Sequence, residues 1–320
     1  MLNISAEEVD RALDFPGLVE TLREAFRAGA VSPVRHHHTI DRPEGAASTL
    51  LLMPAWTDFL NNRTNDGFTG VKIVTVSPDN NAVGKPAVMG VYLLTDGRTG
   101  EPLALIDGQR LTLWRTAAAS ALAATYLARK DASRLLVLGA GALAPFLARA
   151  HAAVRPIREI RVWNRTWAKA QKLAMDLSAE GYEAEAVQTV DDALGWADVV
   201  TSATISPDPL VRGELLPDGV HVDLVGGFRP DLREADNDAV TRAGIFVDVR
   251  ESIVKEAGDI VQPLRDGTIE HADLLADLKE LCSGDHPGRR DDREITLFKS
   301  AGAALEDLAA GIAVWRKLKG

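Results

Sequence analysis

RLLVLGAGALAPFLARAH, residues 134–151, decides how the rest of the chain is read. Leu135 to Leu138 form an unbroken apolar run, which suits a strand buried on both faces. GAGALA then sets Gly139, Gly141 and Ala144 in a G-x-G-x-x-A spacing, ahead of a segment with helical period. Strand, glycine turn and helix in that order make the phosphate-holding unit of a dinucleotide-binding domain. The first glycine permits a tight turn, and the second lets backbone approach a pyrophosphate. The small third residue lets helix and strand pack closely. The helix N-terminus then offers N–H groups and a partial positive charge to phosphate.

Downstream, strands and helices alternate. IREIRVW (157–163) precedes WAKAQKLAMDLSAEG (167–181), and YEAEAV (182–187) precedes VDDALGWA (190–197) and DVVTSAT (198–204). That alternation predicts a doubly wound parallel sheet of Rossmann type over 129–295. GVHVDLVGGF (219–228) and AGIFVDV (243–249) supply later strands.

Upstream the texture differs. Ser5 with Glu8 fits a capping box, and Asp14 with Pro16 starts a second helix. Strands are expected over 48–56, 67–78, 88–96 and 102–107, the last two joined by the hairpin loop GRTGE, before an alanine-rich helix over 111–128. EITLFKSAGAALEDLAAGIAVWRKLKG (294–320) reads as a short strand and a long helix with no place in the nucleotide domain. It is expected to pack on the N-terminal region. The fold class is therefore α/β: the Rossmann domain plus a discontinuous α+β domain, residues 1–128 with 296–320.

About twenty residues beyond the glycine loop, such domains usually present an acid to the ribose hydroxyls. Here the strand ends at Asn164, Arg165 and Thr166. A carboxylate would repel a ribose phosphate, whereas Arg165 attracts one and Thr166 can donate to it. The expectation is NADP(H), with NAD(H) as the alternative.

Composition bounds the partners. Of 320 residues, 46% are hydrophobic, so a true core is expected, and no apolar run reaches membrane-spanning length. The net charge of −10 disfavours nucleic acid and acidic membrane surfaces. The single cysteine, Cys282, and the acidic amphipathic N-terminus point to a cytoplasmic protein.

Three cations sit in unusual company. Lys72 lies in the apolar strand TGVKIVTV, Arg115 opens the alanine-rich helix, and Arg35 follows a proline in SPVRHHHTI. Lysine and arginine are seldom buried without partners. A substrate carboxylate is one such partner, and a lysine in a dry site can lose proton affinity and serve in proton transfer. A protein carboxylate is the competing partner.

RTAAASALAA, the GAGA loop, VGGFRPDLREAD and LFKSAGAALEDLAA, in that order, resemble the ornithine cyclodeaminase and mu-crystallin family over nearly the whole chain. The resemblance implies that the discontinuous domain binds substrate and forms a homodimer. It implies that Arg35, Lys72 and Arg115 contact a small amino or imino acid, with Lys72 and Arg115 catalytic. It assigns the cofactor to Thr116, Gly139, Gly141, backbone N–H groups of Ala142 and Leu143, Asn164 to Thr166, Thr204, the stretch Val222 to Val225, Gly226, Ser300 and Ala301. One departure matters. True ornithine cyclodeaminases carry an aspartate after the paired glycines, and this chain has Phe228 after Gly226 and Gly227. Phenylalanine cannot pair with an ammonium, but it gives a ring-shaped substrate an apolar wall.

The expectation is thus an NAD(P)H-dependent reductase of a cyclic imino acid such as pyrroline- or piperideine-2-carboxylate, reversible as an L-amino-acid dehydrogenase. The alternatives are ornithine cyclodeamination with bound NAD and a non-catalytic NADPH-binding protein. His36, His37 and His38 lack a second ligand cluster, and no metal is expected. Asp223 either touches the cofactor ribose or caps a turn.

Overall fold

The computed structural model describes residues 1–62, 67–227 and 229–319. They fall into two compact units, Met1–Arg115 with Ala303–Gly320, and Thr116–Gly302. The sequence placed the divisions at 128/129 and 295/296. The chain instead passes from one unit to the other within the helix Gly108–Leu127, and again between the strand Thr296–Lys299 and the helix Ala304–Lys319.

In the first unit, Ser5 and Glu8 close the expected capping box on the helix Ala6–Ala12. Asp14 accepts from the Gly17 N–H at the head of Phe15–Ala28, with proline in its first turn. That helix buries Leu18, Leu22 and Phe26. The long strands Ser48–Thr57, Phe68–Val76, Val88–Asp96 and Pro102–Asp107 pair antiparallel in chain order, and Leu2–Ile4 adds a parallel edge. Their side chains alternate, and Phe68, Gly70, Lys72 and Val74 point inward. The C-terminal helix Ala304–Lys319 packs on Phe15–Ala28 and on this sheet.

The second unit holds eight parallel strands, counted among the described residues. From Arg134–Leu138 the chain winds outward through Glu159–Trp163 to Glu183–Ala186. It then returns to the other side of the first strand through Val199–Ser202 and His221–Leu224. The last strand, Thr296–Lys299, slots between His221–Leu224 and Gly244–Val247, with Leu274–Asp277 outermost. The winding reverses between Arg134–Leu138 and Val199–Ser202, and beyond their carboxyl ends lies the crevice where open α/β sheets take ligands. No helix among the described residues is long and apolar enough to cross a membrane.

Candidate active site

Two groups of site residues follow, one in each unit. In the second unit, Gly139 ends its strand at φ +101°, a region that costs a side chain dearly, and a Cβ there would meet the Ala203 carbonyl oxygen at 2.8 Å. Glycine is thus required where the two strands flanking the reversal run out. Gly141 differs: nothing lies within 4 Å of where its Cβ would be. Gly141 and Ala142 are exposed and Leu143 half-buried. The helix Ala144–Val154 begins with no side-chain cap on its N–H groups. A constrained glycine, open backbone and an uncapped helix start fit a dinucleotide pyrophosphate.

Asn164 holds the glycine loop from the next strand. Its Oδ1 accepts from the Ala140 N–H at 3.0 Å, and its Nδ2 donates to the Thr166 carbonyl at 3.0 Å. Arg165 and Thr166 are exposed beside it. Val225 and Thr204 are half-buried at strand ends, as is Ala301, while Thr116, Gly226 and Ser300 are buried. Asp248 fixes the last stretch, accepting from the N–H groups of Ala301 and Gly302 at 2.8 and 2.7 Å. Of Val222 to Val225, the first three are wholly buried inside the sheet. Asp223 therefore neither reaches a ribose nor caps a turn. It joins an internal network with Ser120, His151 and Thr201. Phe228 lies outside the described residues.

In the first unit, Lys72 and Arg115 converge on the first turn of the C-terminal helix. Lys72 Nζ lies 3.0 and 2.8 Å from the two oxygens of Asp307. Arg115 Nε donates to Asp307 Oδ1 at 3.0 Å and Nη1 to Glu306 Oε2 at 2.7 Å. Both cations are about 95% buried, at 3% and 5% exposure, and both acids are fully buried. Burial most strongly, then the charge of Arg115, lowers the pKa of Lys72 to about 8, against the opposing pull of Asp307. Half-buried Arg35 adds to the depression. Burial alone would raise Asp307, yet Arg115 and Lys72 hold it below the usual carboxylate range. The site therefore stays ionised, and Lys72 sits close to the pH at which it can exchange its proton.

Glu306 and Asp307 are the members that the sequence reading missed. The available signal was a pair of acids set in an apolar, alanine-rich helix with no base one turn away. His36 to His38 lie in an exposed strand, and the described residues contain no cluster of three or more metal-ligating side chains.

Comparisons with known proteins find relatives along the whole chain. The model of the ornithine cyclodeaminase/mu-crystallin family matches residues 3–320. The chain is 35% identical to a Delta(1)-pyrroline-2-carboxylate reductase of Colwellia psychrerythraea, over 98% of each chain. Among solved structures it is similar to the Thermococcus litoralis Delta(1)-pyrroline-2-carboxylate reductase in complex with NADH and L-proline, with a TM-score of 0.92 and 32% identity over 100% of this chain and 98% of that one. It is also similar to an archaeal alanine dehydrogenase dimer with bound NAD, with a TM-score of 0.89 and 30% identity over 100% and 96%.

Proposed function

The chain belongs to the ornithine cyclodeaminase/mu-crystallin family, and from that premise we propose a nicotinamide-dependent reductase of a small cyclic imino acid of the pyrroline-2-carboxylate type, reversible as an L-amino-acid dehydrogenase. The observation that carries this reading is the buried meeting of Lys72 and Arg115 on Asp307. Two guanidinium groups and an ammonium gather there, Arg35 acting on Lys72 from nearby, and such a cationic setting suits one carboxylate. Arg115 and Arg35 bind that carboxylate. When bound, reduced nicotinamide supplies hydride to the C=N carbon. Lys72 gives a proton to the ring nitrogen, so that hydride and proton together convert the imine to a secondary amine.

The pH dependence follows. Above about 8 Lys72 loses its proton, so reduction slows while amine oxidation gains a base. A reduction rate rising steadily from about pH 6 to 9 would contradict this role.

Cofactor preference is part of the same proposal. Relatives in solved structures hold NADH and NAD. In this chain Asn164 stands where a carboxylate would repel a ribose phosphate, and Arg165 is exposed beside it, which supports NADP(H). The homodimer has support of its own. Leu52, Pro54, Val71, Ile73, Leu93 and Leu105 share the sheet face opposite Lys72 and are only half-buried, with Val91 37% exposed among them. An apolar face of that extent suits a second copy of the chain. The single cysteine, Cys282, is buried, which fits a reducing cytoplasm.

The test is incubation with NADPH and pyrroline-2-carboxylate, and separately with ornithine. Loss of reduced-nicotinamide absorbance with matching proline formation supports the proposal. Ammonia released from ornithine without net cofactor turnover would instead make the protein a cyclising deaminase. Cofactor binding without turnover of either compound would make it a binding protein.

A further inference from the structure

The second unit contains another buried ionic cluster, at the carboxyl ends of three strands. Lys299 is fully buried, with Nζ 3.0 Å from Asp259 Oδ2 and 4.0 Å from Glu234 Oε2, and it donates to the Gly226 carbonyl. Asp259 Oδ1 accepts from the N–H groups of Glu234 and Ala235, at 2.7 and 2.9 Å. Glu234 Oε1 takes three donors: Ser202 Oγ at 2.6 Å, Thr204 N at 2.7 Å and Thr204 Oγ1 at 2.8 Å.

Glu234 holds one loop directly and Lys299, ion-paired beside it, holds the other. One loop leaves the strand Val199–Ser202 and carries Thr204. The other leaves His221–Leu224 and carries Val225 and Gly226. Packing leaves no slack between them, because a Cβ on Gly226 would come within 2.0 Å of the Thr204 carbonyl and 2.6 Å of Glu234 Oε1. Gly227 turns at φ +57°, with Asp259 beneath it. Such a cluster is a costly way to fill a core. Its hydrogen bonds run to the strand end at Ser202 and to the backbone and side chains of the loops that follow the strands.

We infer that Glu234, braced by Lys299 and Asp259, is a positioning residue that sets the Thr204 and Val225–Gly226 loops for the nicotinamide cofactor. The inference rests on the cofactor assignment proposed above. Glu234 needs its charge for this work, since a carboxylate accepts three donors better than a neutral acid does. Burial first, and then the charge of Asp259, raise its pKa to about 7, against Lys299 and the hydroxyl and amide donors. The charged groups around it are Lys299 on its strand, Asp259 on the helix Gly258–Asp266, and its chain neighbour Arg233, which donates to the Ala235 carbonyl. Protonation below neutrality therefore loosens the loops, and cofactor affinity falls with pH.

The test is titration of the purified protein with NADH, whose lack of a ribose phosphate removes a competing titration. The wild type should show a Kd that rises severalfold as the pH falls through about 7. Glu234→Ala should raise Kd about tenfold at pH near 8. Glu234→Gln, which keeps an acceptor oxygen, should recover most of that affinity and lose the pH dependence. Ser202→Ala removes one donor without touching a charge, and should raise Kd two- to threefold even where Glu234→Ala does not fold. The imine KM at saturating cofactor should stay within about twofold in all of them. Unchanged Kd in Ser202→Ala, or a wild-type pH slope in Glu234→Gln, overturns the inference. No NADH binding by the wild type would overturn the cofactor assignment itself.

Discussion

The two buried ionic clusters perturb groups of opposite sign. In the first unit Lys72 and Arg115 meet Asp307 and Glu306, with the charge of Arg35 nearby. In the second, Glu234 and Asp259 meet Lys299, with the charge of Arg233 acting on Asp259. Burial weighs most in both, and a like charge adds to it: Lys72 loses proton affinity beside Arg115, and Glu234 gains it beside Asp259. An anionic ligand relieves crowded cations, and a proton relieves an acid enclosed by backbone and hydroxyl donors. Under the proposed function, the same physics serves a binding site in one unit and an internal brace in the other.

Removing the lysine from each cluster should break that comparison most sharply. Lys72→Met should lower kcat/KM for imine reduction by about a hundred- to ten-thousandfold. It should fold, because Asp307 keeps Arg115 at 3.0 Å. Lys299→Met leaves Asp259 without its lysine, so it should cost about 3–5 kcal/mol of stability, read from denaturant unfolding. If Lys299→Met were as stable as the wild type, the second cluster would not be a brace.

Arg115→Met should raise the imine KM about 10- to 100-fold, since a charged hydrogen-bonding partner of the carboxylate is lost. Arg165→Glu lies outside both clusters and should act only on cofactor choice. It should lower kcat/KM with NADPH about tenfold and leave NADH nearly unchanged. A clear NADH preference in the wild type would remove that role. The smallest expected effect is a displacement of a titration. Asp307 holds the proton on Lys72, so Asp307→Asn should move the alkaline limb of the reduction profile from about 8 to lower pH. A limb that moved upward would reverse the assigned sign.

The sequence exposed what local pattern controls. The apolar strand, the glycine spacing and the alternation after it led to the parallel sheet, and Lys72 and Arg115 stood out as charges in apolar surroundings. Glu306 and Asp307 did not stand out, because Asp307 is 235 positions from Lys72 and only the return of the C-terminal helix brings them together. Lys299 carried the same signal as Lys72, a lysine closing the apolar strand Thr296–Lys299. Its partners, Glu234 and Asp259, lie in separate loop and helix segments, so no local pattern reveals the cluster. Asp223 shows the limit from the other side: a strand-end acid looks available in sequence, and its burial depends on Ser120, His151 and Thr201.

The most direct measurement is a crystal structure of the protein with oxidised cofactor and L-proline. The account predicts the proline carboxylate on the guanidinium groups of Arg115 and Arg35, with Lys72 Nζ within hydrogen-bonding distance of the ring nitrogen. A carboxylate bound elsewhere, with Lys72 turned only to Asp307, would contradict it.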